Sequence, residues 1–290
     1  MGYNKCITDE PHPEESMPLL SNIHTHTTYG DGRDAPEAMV QAALRLGFHT
    51  LGFSEHGHAD YDDCSMTVAA EPLYRAEISR LRARYAGQIA VLLGYEHDWL
   101  SPPSADAYDY VIESVHYIRA GDGLVCVDDT RAILEDAVRT RYAGDVYALC
   151  RDYFRAVCAS CESPAAILGH MELIMKFNER RDLFDDADPR YLRCALEAAD
   201  CAAASGKLIE VNTGAIARGY RTAPYPGRAI LTRLAGLRAP VIITSDCHNS
   251  DYLNCHFQET AALLRSCGFR TALQYRGGAP EEYLLEEMLP

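Results

Sequence analysis

Metal-binding side chains recur in this sequence wherever a short apolar run ends. Leu19–His24 leads into His24-Thr25-His26, His49–Ser54 into Glu55-His56, and Ile89–Tyr95 into Glu96. Tyr108–Val115 ends at His116, Ala166–Leu168 leads to His170, and Val241–Thr244 leads to Asp246-Cys247-His248. Imidazoles and carboxylates without thiolates suit Zn²⁺, Mn²⁺ or Fe²⁺. There are more such groups than one ion needs, so the pattern predicts two or three divalent ions sharing a bridging carboxylate. Such a centre does hydrolytic chemistry: it supplies hydroxide near neutral pH and offsets developing negative charge.

Spacing sharpens the reading. Residues i and i+2 of a strand face the same side, so His24 and His26 point together, and so do Asp246 and His248. Glu96 follows Val91-Leu92-Leu93-Gly94-Tyr95, where an unpaired carboxylate would be costly; a ligand role explains it. Glu55 and His56 face opposite ways, and His56 is the one chosen as ligand. Asp31, in Tyr29-Gly30-Asp31-Gly32, fits turn chemistry equally well on local grounds. His58, His97 and Asp98 read as loop or supporting residues, and His12, His49 and His256 as ordinary histidines.

These groups need elements that bring them to one place. Besides the runs above, Lys207–Val211 reads as a strand and Arg270–Tyr275 as a weaker one. Between the runs lie helical patterns at Ala35–Leu46, Pro72–Tyr85, Asp188–Ser205, Pro226–Leu237 and Phe257–Ser266. Pro36 and Pro226 suit first turns; Gly47, Gly87, Gly206 and Gly268 suit exits. Strand–helix alternation predicts an α/β barrel or an open doubly wound sheet. In a parallel barrel the C-terminal strand ends converge on one face, where active sites form. Val127–Cys161 breaks the rhythm and reads as a helical insertion at one side of the mouth. No linker is visible, so residues 1–290 read as a single domain.

The chain has 290 residues and a net charge of −15, a field that disfavours nucleic acid as a partner. A small phosphorylated substrate stays compatible where bound ions reverse the local sign. No apolar run approaches the about 20 residues that span a bilayer, and Met1–Pro18 lacks the features of a secretory leader. The expectation is a cytoplasmic protein with no membrane partner. Its eleven cysteines then read as reduced thiols, and the Cys158-x-x-Cys161 pair, with no second pair at zinc spacing, as helix-packing or surface groups.

Taken in order, several motifs resemble the PHP family (polymerase and histidinol phosphatase domain), and within it the histidinol-phosphate phosphatase branch. They are IHTHTTYGDG at 23–32, GFSEHG at 52–57, GYEHDW at 94–99, YDYVIESVHYI at 108–118, LGHMELIMKFN at 168–178, IEVNTG at 209–214 and TSDCHN at 244–249. The resemblance implies a distorted (β/α)7 TIM-like barrel, α/β in class, with the metal site at the C-terminal ends of its strands. It implies one ion on His24, His26, Glu96 and Asp246, a second on Glu96, His116 and His170, and a third on Asp31, His56 and His248. Glu96, Asp246 and His248 would bear directly on the chemistry. Two residues depart from the pattern: Glu55 stands where the family usually has Asp, and Glu113 where the branch often has Gly. The second bears on pocket shape.

The activity implied is hydrolysis of a phosphate monoester, with L-histidinol phosphate as the substrate. Arg218, just beyond a strand end, suits a bidentate fork to phosphate, and Lys176 is a second candidate for substrate binding. Other readings stand beside this one. A phosphatase of the same fold acting on nucleotides or other small esters would use the same site. An amidohydrolase would more usually show a strand-end lysine, which is missing. A non-catalytic module beside a polymerase would not need a full ligand set.

Overall fold

The computed structural model describes residues 20–104 and 107–289; Met1–Leu19, including the His12 reading and the first residue of the first expected strand, lie outside them. In chain order the elements are β1 (Leu20–Asn22), α1 (Pro36–Arg45), β2 (Phe48–Phe53), α2 (Ala70–Arg84), β3 (Ala90–Asp98), β4 (Tyr110–Ser114), β5 (Tyr117–Ala120) and β6 (Gly123–Cys126). They continue with α3 (Arg131–Arg141), α4 (Val146–Ser160), β7 (Ile167–Leu168), α5 (Pro189–Ser205), β8 (Leu208–Asn212) and α6 (Gly214–Ala217). Last come α7 (Arg228–Gly236), β9 (Val241–Thr244), α8 (Phe257–Cys267), β10 (Thr271–Arg276) and β11 (Ala279–Leu284).

The central sheet runs β1-β2-β3-β4-β7-β8-β9-β10-β11. All neighbours from β1 to β10 are parallel, and β11 folds back antiparallel onto β10. This is an α/β fold with a mostly parallel sheet. Past the strand ends, Thr25 bridges in parallel to Cys247, and His26 N–H donates to Cys247 O at 2.9 Å. Asn22 Nδ2 donates to Ser245 Oγ at 2.5 Å, and Tyr275 N–H to Ser21 Oγ at 3.1 Å. These contacts set β1 alongside β9 and β10.

The helices follow their local signals. In α5, Asp188 caps the Arg190 N–H, Pro189 starts the first turn, and Gly206 ends the helix at φ +71°. Its apolar residues Tyr191, Cys194, Ala195, Ala198, Ala199 and Ala202 recur at three and four and are buried, as an amphipathic packing face requires. Pro226 is not in a first turn, contrary to expectation: α7 begins at Arg228 with Gly227 as its cap. Residues 127–161 hold α3 and α4. Of these, α4 packs along α5 and serves as the crossover between the parallel neighbours β4 and β7. The β5–β6 hairpin and β11 had no sequence-based assignment. The hairpin strands are only four residues each. The polar β11, with Pro280 inside it, is tolerated because it is an edge.

One face of the strands changes character along its length. Ile23, Leu92, Ile112, Ile167, Leu208 and Ile242 form an apolar floor with Tyr110 and Tyr275. Two and four residues further on, the same face carries Gly94 and Glu96, Ser114, Glu210 and Asn212, and Thr244. Period-two alternation thus lays a polar layer directly over an apolar one. Gly52 and Gly94 make room for the Tyr110 ring, which a Cβ at either position would strike. The Tyr110 hydroxyl donates to Ile23 O at 2.5 Å and Phe53 O at 3.0 Å, tying β4 to β1 and β2.

Candidate metal centre

Glu96 sits inside β3, Asp31 lies in the turn between β1 and α1, and the other groups of the site lie just past strand ends. His24 and His26 follow β1, His56 follows β2, His116 follows β4, His170 follows β7, and Asp246 and His248 follow β9. Strand alternation therefore does not aim Asp246 directly. Its backbone has φ +44°, a left-handed conformation that Asp tolerates better than most residues.

The side chains converge on Glu96, which is 1% exposed. Its Oε2 lies 3.1 Å from His24 Nε2, 3.4 Å from His26 Nε2 and 3.0 Å from His56 Nδ1. Its Oε1 lies 3.0 Å from His170 Nε2 and 3.4 Å from His116 Nε2, and accepts from Ser114 Oγ at 2.6 Å. Asp246 Oδ1 is 3.2 Å from His26 Nε2 and 3.7 Å from His24 Nε2. Asp31 meets His248 Nε2 at 3.0 Å and stands 3.8 and 3.9 Å from His26 and His56.

All nine expected ligands are thus brought together. Four subsets could each hold an ion: His24-His26-Glu96; His24-His170-Asp246; His56-Glu96-His116; and His26-Asp31-His56-His248. His170, expected with Glu96 and His116, groups with His24 and Asp246; His56, expected with Asp31 and His248, stays with them and also joins Glu96 and His116. Several donor atoms at the heart of the cluster are buried without hydrogen-bond partners: His24 Nε2, both ring nitrogens of His26 and Glu96 Oε2. Buried polar atoms ordinarily find a partner. Orphaned lone pairs facing one another across a few ångströms fit divalent metal ions.

Charge in the cluster follows its geometry. Burial opposes ionisation of Glu96, but His24, His56 and His116 outweigh it and hold the carboxyl well below its usual range. Burial likewise opposes ionisation of Asp246, yet Arg218 and His24 keep it low. His26, enclosed and flanked by His56 and His248, falls to about 3. His56 rises to about 9, because Glu96 and Asp31 overcome its burial.

Beyond the cluster opens a cleft of about 660 Å³. Arg218, at the end of α6, lines it, with Nη2 3.1 Å from Asp246 Oδ2 and Nη1 2.9 Å from His248 Nδ1. Lys176 lines it too, but its ammonium is engaged by Asp128, at 2.5 Å from the carbonyl and 3.3 Å from Oδ2, and lies over the Tyr220 ring. Asp62, Asp63, Asp128 and Asp129 line the outer wall with Tyr61, Tyr117 and Tyr220. Glu113 does not line the cleft. It pairs with His97 at 2.9 Å, on the opposite face of β4 from Ser114, so its departure from the family pattern does not reshape the mouth.

Supporting residues also emerge. Asp98 accepts the His116 N–H at 3.0 Å and the Tyr61 hydroxyl at 2.7 Å. Glu55, pushed up to about 8 by burial, accepts from Thr27 N–H at 2.7 Å and Thr27 Oγ1 at 2.5 Å. Sequence reading missed Glu210, which is fully buried and hydrogen-bonded to His24. The signal was present: a carboxylate in the apolar run Leu208-Ile209-Glu210-Val211, the same argument that singled out Glu96. The other histidines stand apart from the cluster: His58 contacts Met66 O and Asp60, His49 contacts Thr50, and His256 precedes α8. Cys158 and Cys161 sit at the end of α4, where Cys161 Sγ contacts Val157 O at 3.2 Å. Among the described residues, no helix is long and apolar enough to cross a membrane.

Comparison with known proteins agrees with this geometry. Residues 22–214 match the PHP domain. The chain is 30% identical over 270 residues to a probable histidinol-phosphatase of Deinococcus radiodurans, covering 88% of this chain and 96% of the relative. It is 23% identical over 270 residues to the histidinol-phosphatase of Bacillus subtilis, covering 85% and 98%. The fold is similar to that of histidinol phosphate phosphatase from Lactococcus lactis subsp. lactis, solved with Zn, L-histidinol and phosphate. That match has TM-score 0.69 and 19% identity, and covers 90% of this chain and 98% of the other.

Proposed function

Since the chain belongs to the PHP domain family, we propose that it hydrolyses L-histidinol phosphate to L-histidinol and phosphate at a centre of two or three divalent ions. The observation that carries this reading is the convergence of five imidazoles and Asp246 about Glu96, with orphaned donor atoms, at the floor of an open cleft. The names of the relatives support the substrate. The contacts that set β1 beside β9 and β10, over a shared apolar floor, support a distorted seven-unit barrel as the frame.

Glu96 would bridge two ions, His24, His26, Asp246, His116 and His170 would complete them, and Asp31, His56 and His248 would hold a third. Zn²⁺, Mn²⁺ and Fe²⁺ all suit these donors. When bound, such ions supply Lewis acidity that offsets charge on the phosphoryl oxygens and makes hydroxide available near neutral pH.

The chain's own side chains do the rest. Arg218 lines the cleft with its guanidinium held by Asp246 and His248, and from there it would bind phosphoryl oxygens. Lys176 adds positive charge further out. The outer wall sets four aspartates against that one ammonium. It suits an alcohol that carries an ammonium and an imidazole, and would meet a second phosphate with like charge. The aromatic rings of Tyr61, Tyr117 and Tyr220 offer faces for stacking on a flat ring.

The test is phosphate release from L-histidinol phosphate by protein reconstituted with Mn²⁺, Zn²⁺ or Fe²⁺, with AMP and a 3′,5′-bisphosphate as comparison substrates. A kcat/KM of roughly 10⁴ M⁻¹s⁻¹ or more, highest for histidinol phosphate, is the expected result. Preference for a nucleotide would keep the metal chemistry and discard the substrate.

A further inference from the structure

Glu210 is completely buried under the centre, yet its arrangement differs from that of the ligand groups. Its Oε1 accepts from His24 Nδ1 at 2.5 Å and from Thr244 Oγ1 at 2.6 Å. Its Oε2 accepts from the His170 backbone N–H at 2.6 Å and from Asn212 Nδ2 at 3.1 Å. A carboxylate offers about four lone-pair directions, and all four are taken. Glu210 therefore has no atom left for an ion. The orphaned donors of the site belong to its neighbours, not to Glu210.

The groups that Glu210 holds are informative. His24 and His170 are direct partners. Asn212 Nδ2, the same amide nitrogen, also reaches Asp246 Oδ2 at 3.2 Å. His24, His170 and Asp246 are one of the four subsets whose donor atoms lie close enough for an ion. One carboxylate on β8 thus ties together three donors that come from the ends of β1, β7 and β9.

We propose that Glu210 is a positioning residue of this subset. It accepts the Nδ1–H hydrogen bond of His24, which keeps the proton on Nδ1, so that Nε2 presents its lone pair toward Glu96 and Asp246. It also pins the backbone at His170, and through Asn212 it sets the Asp246 carboxylate. The inference rests on the reading of the cluster as a metal centre, and adds to it a residue that neither binds metal nor touches substrate. A carboxylate behind a ligating imidazole fixes its tautomer and ring angle, and removing such a partner typically weakens metal binding about 10–100-fold.

Glu210→Gln tests this. The amide keeps the shape but turns one acceptor atom into a donor, which must face either the His24 and Thr244 pair or the His170 and Asn212 pair. Chelator-treated protein would be titrated with Mn²⁺, and the visible absorption of the Co²⁺-loaded protein recorded, with circular dichroism and thermal unfolding as controls on the fold. The expected result is a folded chain with 10–100-fold weaker Mn²⁺ binding at one site and an altered cobalt spectrum. Lower stability with unchanged affinity, stoichiometry and spectrum would mean a purely structural role and overturn the proposal.

If Glu210→Gln does not fold, Glu210→Asp decides on the same readouts. The charge remains, but the side chain is one methylene too short to serve both sides, so metal binding should fall between wild type and the Gln expectation. Wild-type behaviour of a folded Asp variant would overturn the proposal. If neither variant folds, nitrogen-15 spectra of the Zn²⁺-loaded wild type decide: His24 should carry its proton on Nδ1, and a proton on Nε2 would overturn the idea. No substrate enters these measurements. A wild type that binds no divalent ion would sink the metal centre itself, and a wild type that binds ions but leaves histidinol phosphate intact would sink only the substrate.

Discussion

His56 and Glu96 pair twice: their backbones form an isolated parallel bridge beyond the end of β2, and His56 Nδ1 lies 3.0 Å from Glu96 Oε2. The backbone bridge fixes the register of the two strand ends, and the register puts the imidazole against the carboxylate. Glu96 also stands within 3.4 Å of four other imidazoles, so it links the histidines of β1, β2, β4 and β7 in one place.

Glu96→Gln is therefore expected to remove activity and lower the metal content, because the isosteric amide keeps the packing but loses the bridging charge. The loss of metal affinity should exceed the roughly 10–100-fold caused by removing a ligand's partner. Elemental analysis of the purified variant, beside its turnover of histidinol phosphate, checks this. Full metal with normal turnover would rule out the bridging role.

Arg218→Lys should lower kcat/KM by about 10–100-fold, the equivalent of ~1.5–3 kcal/mol for hydrogen bonds to a charged group. Lysine keeps the charge but lacks the planar fork, so little rescue over Arg218→Ala is expected. Steady-state kinetics of the two variants would show it. A Lys variant at wild-type rate would mean that position 218 supplies charge alone.

Stability of the metal-free protein should fall as pH rises. His56 sits at about 9 in the fold against 6.5 ordinarily, and Glu55 at about 8 against 4.5. Both values are raised, so the folded chain holds protons that the unfolded chain releases. The stabilisation from His56 is complete below pH 6.5 and is lost through pH 9; that from Glu55 is complete below 4.5 and lost through 8. Thermal unfolding in chelator should thus give a lower midpoint at pH 9 than at 6.5. Bound metal displaces the His56 proton, so the loaded protein should decline less. A metal-free midpoint that rises over this range would contradict both assignments.

Gly94→Ala should destabilise the fold without touching a ligand. The new methyl would strike the Tyr110 ring, which the hydroxyl bonds to Ile23 and Phe53 hold in place. Overpacking of this kind costs about 1–3 kcal/mol, or a fall of roughly 2–4 °C in midpoint per kcal/mol for a chain of this size. An unchanged melting curve would show that the ring has room to move.

Much of the site was legible without coordinates, because metal chemistry restricts residue types and strand ends restrict places. His24, His26, Glu96, His116, His170, Asp246 and His248 each stop an apolar run, where a charged or imidazole group is costly to bury unless it binds something. The parallel strands and most helices followed from periodicity and from glycines such as Gly206, but the short β5–β6 hairpin and the polar edge strand β11 did not. Tertiary structure alone decided the rest. Which imidazole meets which carboxylate depends on register and on how far the chain runs past each strand, and His170 accordingly sits with His24 and Asp246. Whether Asp31 is a turn residue or part of the centre depends on His248, distant in sequence but 3.0 Å away in space. Lys176 turned out to be engaged by Asp128, which lies between the β5–β6 hairpin and α3. Sequence states what each residue can do; only packing over long separations sets which partners share a low-dielectric interior, and there the nearest opposite charge determines what each group does.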